Sequence, residues 1–270
     1  MSSVWPCRDR TIGTVHAKKA LVRRPGPRLA EGLLTHLERS PVDPDVAMKQ
    51  WDGYVRAFVD AGWRLTEVEP APESPDSVFV EDTVVVYGDL AVIARSGAAE
   101  RRSEAAGTEK VVAELGYRVV HIEAPGVLDG GDVLKHGGTV YVGQSGRTNA
   151  EGIRQLAEHL AAYGATVITV PLTKALHLKS AVTALPDGAI IGYEPVVDDP
   201  TVFPAFLAVP EEPGAHVVLL GDRKLLMSSA APETADLLTA RGYEPVLVDI
   251  GEFEKLEGCV TCLSVRLRGI

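Results

Sequence analysis

Cysteine is scarce in this chain: three in 270 residues, at Cys7, Cys259 and Cys262. An odd, sparse set makes no disulfide framework, which points to a reducing, cytoplasmic setting. Aromatic residues make up only 6%, so Val, Leu and Ala must fill most of the core. No uninterrupted apolar run reaches the ~18 residues expected of a membrane-spanning helix, and Met1–Arg10 lacks the apolar stretch of a secretory leader. No membrane association is therefore expected. Long basic runs are absent too. Arg23-Arg24 and Arg101-Arg102 are only pairs, and the formal net charge is −10. A nucleic-acid binder carries a basic face, so no nucleic-acid partner is expected. The acidic balance suits a cationic small substrate, and is equally the ordinary state of a soluble protein.

What is present is a repeat. Ala20–Arg23 reads as a strand, the apolar spacings in Arg28–Glu38 and Pro44–Ala61 read as helices, and Trp63–Val68 as a strand. From Ser77 a strand–strand–helix–strand order sets in: Ser77–Tyr87 and Leu90–Ala94, a helix ending near Gly116, then Arg118–Ile122. It recurs from Asp132, from His177 and from His216, and the tail Cys259–Leu267 pairs with the N-terminal strand to complete the set. Five ββαβ units of roughly 40 to 50 residues suggest a closed ring, because closure removes exposed sheet edges. The expected fold is a five-bladed, pseudo-symmetric α/β propeller formed by residues 19–270, preceded by a loose extension over 1–18. An ordinary doubly wound sheet is the alternative. The hairpins inside each unit argue against it, since such sheets are mainly parallel.

Six short segments carry polar residues that a packed ring would not need. Cys262 ends Cys259-Val-Thr-Cys262 in the tail. It reads either as a small buried hydrophobe or as a nucleophile. One such pair supplies too few ligands for a metal site. His177, in Leu176-His177-Leu178-Lys179-Ser180, opens a neighbouring unit and could serve a thiol as base and then acid. Asp129-Gly-Gly-Asp132 is a turn, or a source of a carboxylate that orients His177. It is no phosphate loop, because Lys-Ser/Thr is missing. Asp76-Ser-Val-Phe79-Val-Glu81-Asp82 sets acids within an apolar run, costly unless they are paired, and a guanidinium pairs well with carboxylates. Arg95 and Arg147 each follow the second strand of a unit beside a Ser-Gly pair. They are surface residues, or a clamp for a carboxylate.

These segments, with Gly143-Gln-Ser-Gly-Arg147-Thr-Asn and Val-Thr-Cys262-Leu-Ser-Val, stand in an order that resembles the dimethylarginine dimethylaminohydrolases of the guanidino-group-modifying, or amidinotransferase, superfamily. The resemblance implies a pentein fold and hydrolysis of N-omega-methylated arginine to citrulline and an amine, with no cofactor and no metal. It implies Cys262 as nucleophile, His177 as acid and base, and Asp129 as their partner. Glu81 and Asp82 would hold the guanidinium, and Asp76 and the Leu256 carbonyl the α-ammonium. Arg95 and Arg147 would hold the α-carboxylate, and Phe79 belongs to the same binding set. The partner is then a small guanidino amino acid. A homodimer is compatible with the sequence, which does not fix the oligomeric state.

The chain departs from the family pattern in the covering loop, placed at about Arg23–Leu29, where Pro25 takes the position of a substrate-contacting leucine. Arginine deiminases typically carry His-x-Asp and a helical insertion. Here the triplet is His177-Leu178-Lys179, and there is no room for the insertion. Action on another guanidine, an amidinotransferase, and a silent binding module remain alternatives.

Overall fold

A computed structural model describes residues 18–267 of the chain; the expected extension lies outside these residues, apart from Lys18. The first unit holds β1 (Lys19–Val22), α1 (Pro44–Asp60) and β2 (Arg64–Glu67). Asp43 caps α1, accepting the N–H groups of Asp45 and Val46, and Pro44 occupies the first helical position, where no N–H is needed. The second unit holds β3 (Val84–Tyr87), β4 (Leu90–Ile93), α2 (Ala105–Glu114) and β5 (Arg118–His121). The third holds β6 (Val133–His136), β7 (Thr139–Gln144), α3 (Ala150–Ala161) and β8 (Thr166–Pro171). The fourth holds β9 (Val182–Ala184), β10 (Ile190–Gly192) and β11 (Phe206–Ala208). The fifth holds β12 (Val218–Leu219), β13 (Lys224–Ser228), α4 (Pro232–Ala240) and β14 (Glu244–Val248). A short helix, α5 (Gly251–Glu254), leads to β15 (Val265–Leu267), which returns to the first unit.

The strands form five three-stranded sheets of one pattern. In each, the middle strand runs antiparallel to one neighbour and parallel to the other; β1, for instance, pairs antiparallel with β15 and parallel with β2. The buried side chains divide into clusters between successive units. Leu21 joins Val84, Val86, Ala91 and Ile93 between the first and second. Val85, Leu90 and Val92 face Val133, Val140 and Val142 across the next boundary. Leu134 and Tyr141 meet Val182 and Ile190, and Ile191 meets Leu225 and Met227. Ala20 and Val22 meet Val218 and Leu226, which closes the ring. Alternate residues of an inner strand thus pack against opposite neighbours. This explains why Val84-Val-Val86 and Leu90-Ala-Val-Ile93 are apolar throughout: a strand buried on both faces has no polar side to show.

The structure corrects four local expectations. The fourth unit has no α-helix, since 3₁₀ turns at Glu194–Val196 and Pro200–Val202 connect β10 to β11. Arg28–Glu38 forms one 3₁₀ turn, Leu29–Glu31, and is otherwise irregular, because side chains distant in sequence hold its backbone. The strand expected from Ser77 starts only at Val84, after a 3₁₀ turn at Val80–Thr83. The tail is a strand only from Val265, with Cys262 in a turn whose N–H bonds the Cys259 carbonyl. Among the described residues no helix is long and apolar enough to cross a membrane.

Candidate active site

One end of the ring is built from equivalent short turns. Those at Val80–Thr83, Gly130–Asp132 and Leu178–Ser180 each lead toward the first strand of a unit, and the Cys259–Cys262 turn precedes β15. They bring polar side chains to one small buried cavity lined by Asp76, Phe79, Asp82, Arg101, Arg147, His177, Leu256 and Cys262, and closed by Leu33 and Glu257.

His177 lies between carboxylates. Its Nε2 is 3.1 Å from Asp129 Oδ2, and its Nδ1 is 3.7 Å from Asp82 Oδ1. Asp129 is fully buried; its Oδ1 accepts the Gly97 N–H and its own N–H donates to Thr148 Oγ1. Asp132, behind them, accepts the Leu178 N–H and the Ser145 hydroxyl, and so fixes the turn that carries His177. Burial alone would lower the imidazole pKa, but Asp82, Asp129 and Asp132 outweigh it and raise it to about 9. His177 is therefore an imidazolium at neutral pH. Burial opposes ionisation of Asp82, yet His177 and Arg101 draw its carboxyl down to about 2.

The Gly130-Gly131 pair is a packing requirement. A Cβ on Gly130 would stand 2.1 Å from the Glu81 carbonyl, and one on Gly131 would stand 2.6 Å from Asp82 Oδ1 and 2.7 Å from the His177 ring. Gly131 also gives its N–H to Asp82 Oδ1 at 3.0 Å.

Cys262 is 5% exposed. Its sulfur receives the Cys259 N–H at 3.4 Å and touches Cys259 Sγ at 3.3 Å. The hydrogen bond with Cys259, burial, and the negative charges of Cys259, Glu81 and Asp82 all push its pKa up. It is therefore held as a thiol.

Asp76 is buried and accepts the Leu33 N–H on both oxygens, at 3.2 and 3.1 Å. Burial raises its pKa, against the pull of Arg101. Phe79 packs edge-on to Phe253 and leaves no space for a side chain on Gly258, whose Cβ would stand 2.3 Å from its ring. Arg147 Nη1 is 3.8 Å from Asp129 Oδ2 and is buried without a hydrogen-bond partner.

Two expected ligands point elsewhere. Arg95 donates to the Gly126 carbonyl at 3.0 Å and does not line the cavity. Arg101, which sequence reasoning missed, takes that place: it pairs with Asp82 at 2.7 Å and with Glu104 at 2.9 Å, and reaches the carbonyls of Asp76 and Phe79. Its signal in the sequence was Arg101-x-x-Glu104, an i,i+3 pair inside a helical stretch. Glu81 faces a separate cavity of about 350 Å³ on the other side, where it pairs with Lys179 at 2.5 Å; burial raises its pKa to about 7 despite that lysine. Only Asp82 of the two adjacent acids lines the site.

The cover also differs from expectation. Pro25 does not line the cavity; Leu33 does. The segment after Leu33 is clasped by Glu257, whose carboxylate accepts the N–H groups of Thr35 at 3.0 Å, of His36, and of Leu37 at 2.8 Å. Beneath this clasp the cavity measures about 20 Å³, room for about one water molecule. An amino acid as long as arginine reaches the site only when residues 33–37 move.

Residues 64–218 match the sequence model of a family described as arginine deiminase. The chain is 63% identical to N(G),N(G)-dimethylarginine dimethylaminohydrolase of Streptomyces coelicolor, over 93% of this chain and 98% of that one. It is 34% identical to the enzyme of that name from Pseudomonas aeruginosa, over 92% and 99%. A solved structure of the Pseudomonas protein, a cysteine-to-serine variant complexed with citrulline, superposes with a TM-score of 0.87 at 33% identity, over 93% of this chain and 99% of that one. The N-terminal domain of the cyanobacterial arginine dihydrolase ArgZ shares the fold at 19% identity, with a TM-score of 0.84. The ring and its matches define a pentein, the five-bladed α/β propeller class. Within that class the chain belongs to the dimethylarginine dimethylaminohydrolase family.

Proposed function

We propose that residues 19–270 form one catalytic domain that hydrolyses N-omega-methylated L-arginine to L-citrulline and a methylated amine. One observation carries this reading: a thiol, an imidazolium and a carboxylate, Cys262, His177 and Asp82, line one buried cavity at one end of the ring, and a second carboxylate, Asp129, bonds His177 outside that lining. Asp82 and Asp129 complement a guanidinium. Asp76 and the Leu256 carbonyl complement an α-ammonium, and Arg147 and Arg101 an α-carboxylate.

In this mechanism the arriving guanidinium offsets the negative charge that holds Cys262 protonated. Cys262 gives up its proton to solvent as the guanidinium binds, and the resulting thiolate attacks the guanidinium carbon. His177, already an imidazolium, gives its proton to the departing alkylamine nitrogen, and an amidino-thioether remains on the sulfur. Neutral His177 then takes a proton from water. The hydroxide adds to the same carbon, and collapse expels the thiolate and releases citrulline. Asp129 holds the imidazole orientation through both half-reactions. The residues supply nucleophile, acid and base among themselves, so the scheme calls on no cofactor.

Lys179 supports the choice of substrate. Paired with Glu81 on the other side of the ring, it adds no carboxylate to the cavity, so a substituted guanidinium nitrogen meets no second acid there. The scarcity of cysteine supports a cytoplasmic setting. The test is citrulline release from asymmetric dimethylarginine and from arginine, side by side. Release from the first alone is expected; release from arginine alone would reassign the chain to deimination.

A further inference from the structure

Cys259 plays no part in this mechanism, yet it is the nearest sulfur to the nucleophile. The two sulfurs are 3.3 Å apart, and both thiols are free. The Cys262 N–H bonds the Cys259 carbonyl at 3.1 Å, and such a turn brings its end Cα atoms within about 7 Å, the range that a disulfide spans. The two sulfurs also face different spaces. Cys262 lines the closed cavity of about 20 Å³. Cys259 lines a second cavity of about 240 Å³, with His216, Glu254, Ser180 and Leu37 in its wall. This second cavity lies against the outer residues of the clasp, His36, Leu37 and Glu257, and gives Cys259 a space of its own apart from the one that Cys262 lines.

We propose that Cys259 and Cys262 form a reversible disulfide, with Cys259 oxidised first through the second cavity, and that this bond switches off turnover. The claim of control rests on the assignment of Cys262 as nucleophile; the claim of bonding does not. The oxidant is hydrogen peroxide. The Cys259 thiolate attacks one peroxide oxygen, the O–O bond breaks, and a sulfenic acid forms as hydroxide leaves. The Cys262 sulfur then attacks the sulfenyl sulfur. The S–S bond forms, the S–O bond breaks, and the oxygen departs as water with the Cys262 proton. The pair has lost two protons and two electrons, and the peroxide has become two waters. A dithiol reverses the change by exchange. The hydrogen bond from Cys262 holds the Cys259 sulfur well below the ordinary thiol range, against its burial, which favours Cys259 as the first sulfur attacked.

The experiment treats the full-length protein with hydrogen peroxide, blocks remaining thiols with iodoacetamide, and analyses the tryptic peptide Leu256–Arg266, which contains both cysteines but not Cys7. The expected product is that peptide lighter by two hydrogens and unalkylated, appearing in step with loss of citrulline release. Dithiothreitol should restore both. In Cys259→Ser, peroxide should carry Cys262 on to sulfinic acid, and dithiothreitol should no longer rescue activity. In Cys262→Ser, dimedone should trap a sulfenic acid on Cys259. A wild-type peptide with Cys262 over-oxidised and Cys259 still alkylated would overturn the proposal, as would pairing of either residue with Cys7. A disulfide that leaves turnover unchanged would overturn the claim of control and the nucleophile assignment with it.

Discussion

The pKa of His177 is the quantity on which the proposed acid step depends, and Asp129→Asn perturbs it with little change of shape. Asparagine keeps an oxygen that can sit 3.1 Å from Nε2, where Asp129 Oδ2 now lies. What it removes is the charge, together with the acceptor that Oδ1 gives the Gly97 N–H. A hydrogen bond to a charged partner contributes about 1.5–3 kcal/mol and a neutral one about 1. The difference, about 0.5–2 kcal/mol, centres on about one pKa unit. His177 should therefore fall from about 9 by about one unit. It should stay above the ordinary imidazole value of about 6.5, because Asp82 and Asp132 still face it.

The direct assay is an NMR titration of the imidazole in a Cys262→Ser background, with the resonance assigned by its loss in His177→Asn. In the active enzyme the alkaline limb of kcat should move to lower pH in Asp129→Asn, since less of the imidazolium survives to protonate the amine. Stability follows the same linkage. The raised pKa stabilises the fold fully below the unfolded value of about 6.5. That contribution is lost as pH rises through about 9, so Asp129→Asn should cost more stability at pH 6 than at pH 10. An unmoved resonance, or one moved upward, would refute the account of how the site holds its proton.

Three further outcomes are expected. Cys262→Ser should abolish citrulline release while calorimetry still detects binding of dimethylarginine; full turnover would remove Cys262 from the chemistry. Arg147→Ala should raise KM by an amount equivalent to about 1.5–3 kcal/mol, the range for a charge-assisted contact, whereas Arg95→Ala should stay within about 0.5 kcal/mol of wild type; equal effects would refute the different placement of the two arginines. Glu257→Ala frees the N–H groups of Thr35, His36 and Leu37, and should speed tryptic cleavage after Arg28 and Arg39, which flank the cover; unchanged cleavage would refute the clasp.

The ring was legible because its physics is repeated. Each inner strand is apolar on both faces for the same reason, so one pattern recurs along the chain and can be counted. The site turns were not legible as turns. Asp82, Asp129 and His177 lie at the mouths of strands, and pattern alone runs the strand through them; only the close approach of Gly130 and Gly131 to Glu81, Asp82 and His177 shows why the chain must turn there. The cover was misread as a helix because its apolar spacing is helical, whereas its N–H groups are held by Asp76 and Glu257, 43 and 222 positions away at Leu33 and Thr35.

The errors about Arg95 and Glu81 share a cause. Counting placed Arg95 and Arg147 at equivalent points beside a Ser-Gly pair, but Arg95 precedes its pair and Arg147 follows its own. That shift of register sends one side chain to the Gly126 carbonyl and the other toward Asp129. Glu81 and Asp82 are sequence neighbours, and the turn that carries them sends one carboxylate to each side of the ring. Lys179 completes the logic. Read in sequence it stands where the deiminases carry an acid; in the fold it is the counter-ion of Glu81, the carboxylate that does not line the site. One ion pair accounts for both departures, and it leaves Asp82, with His177 beside it, as the one of the two adjacent acids that lines the cavity.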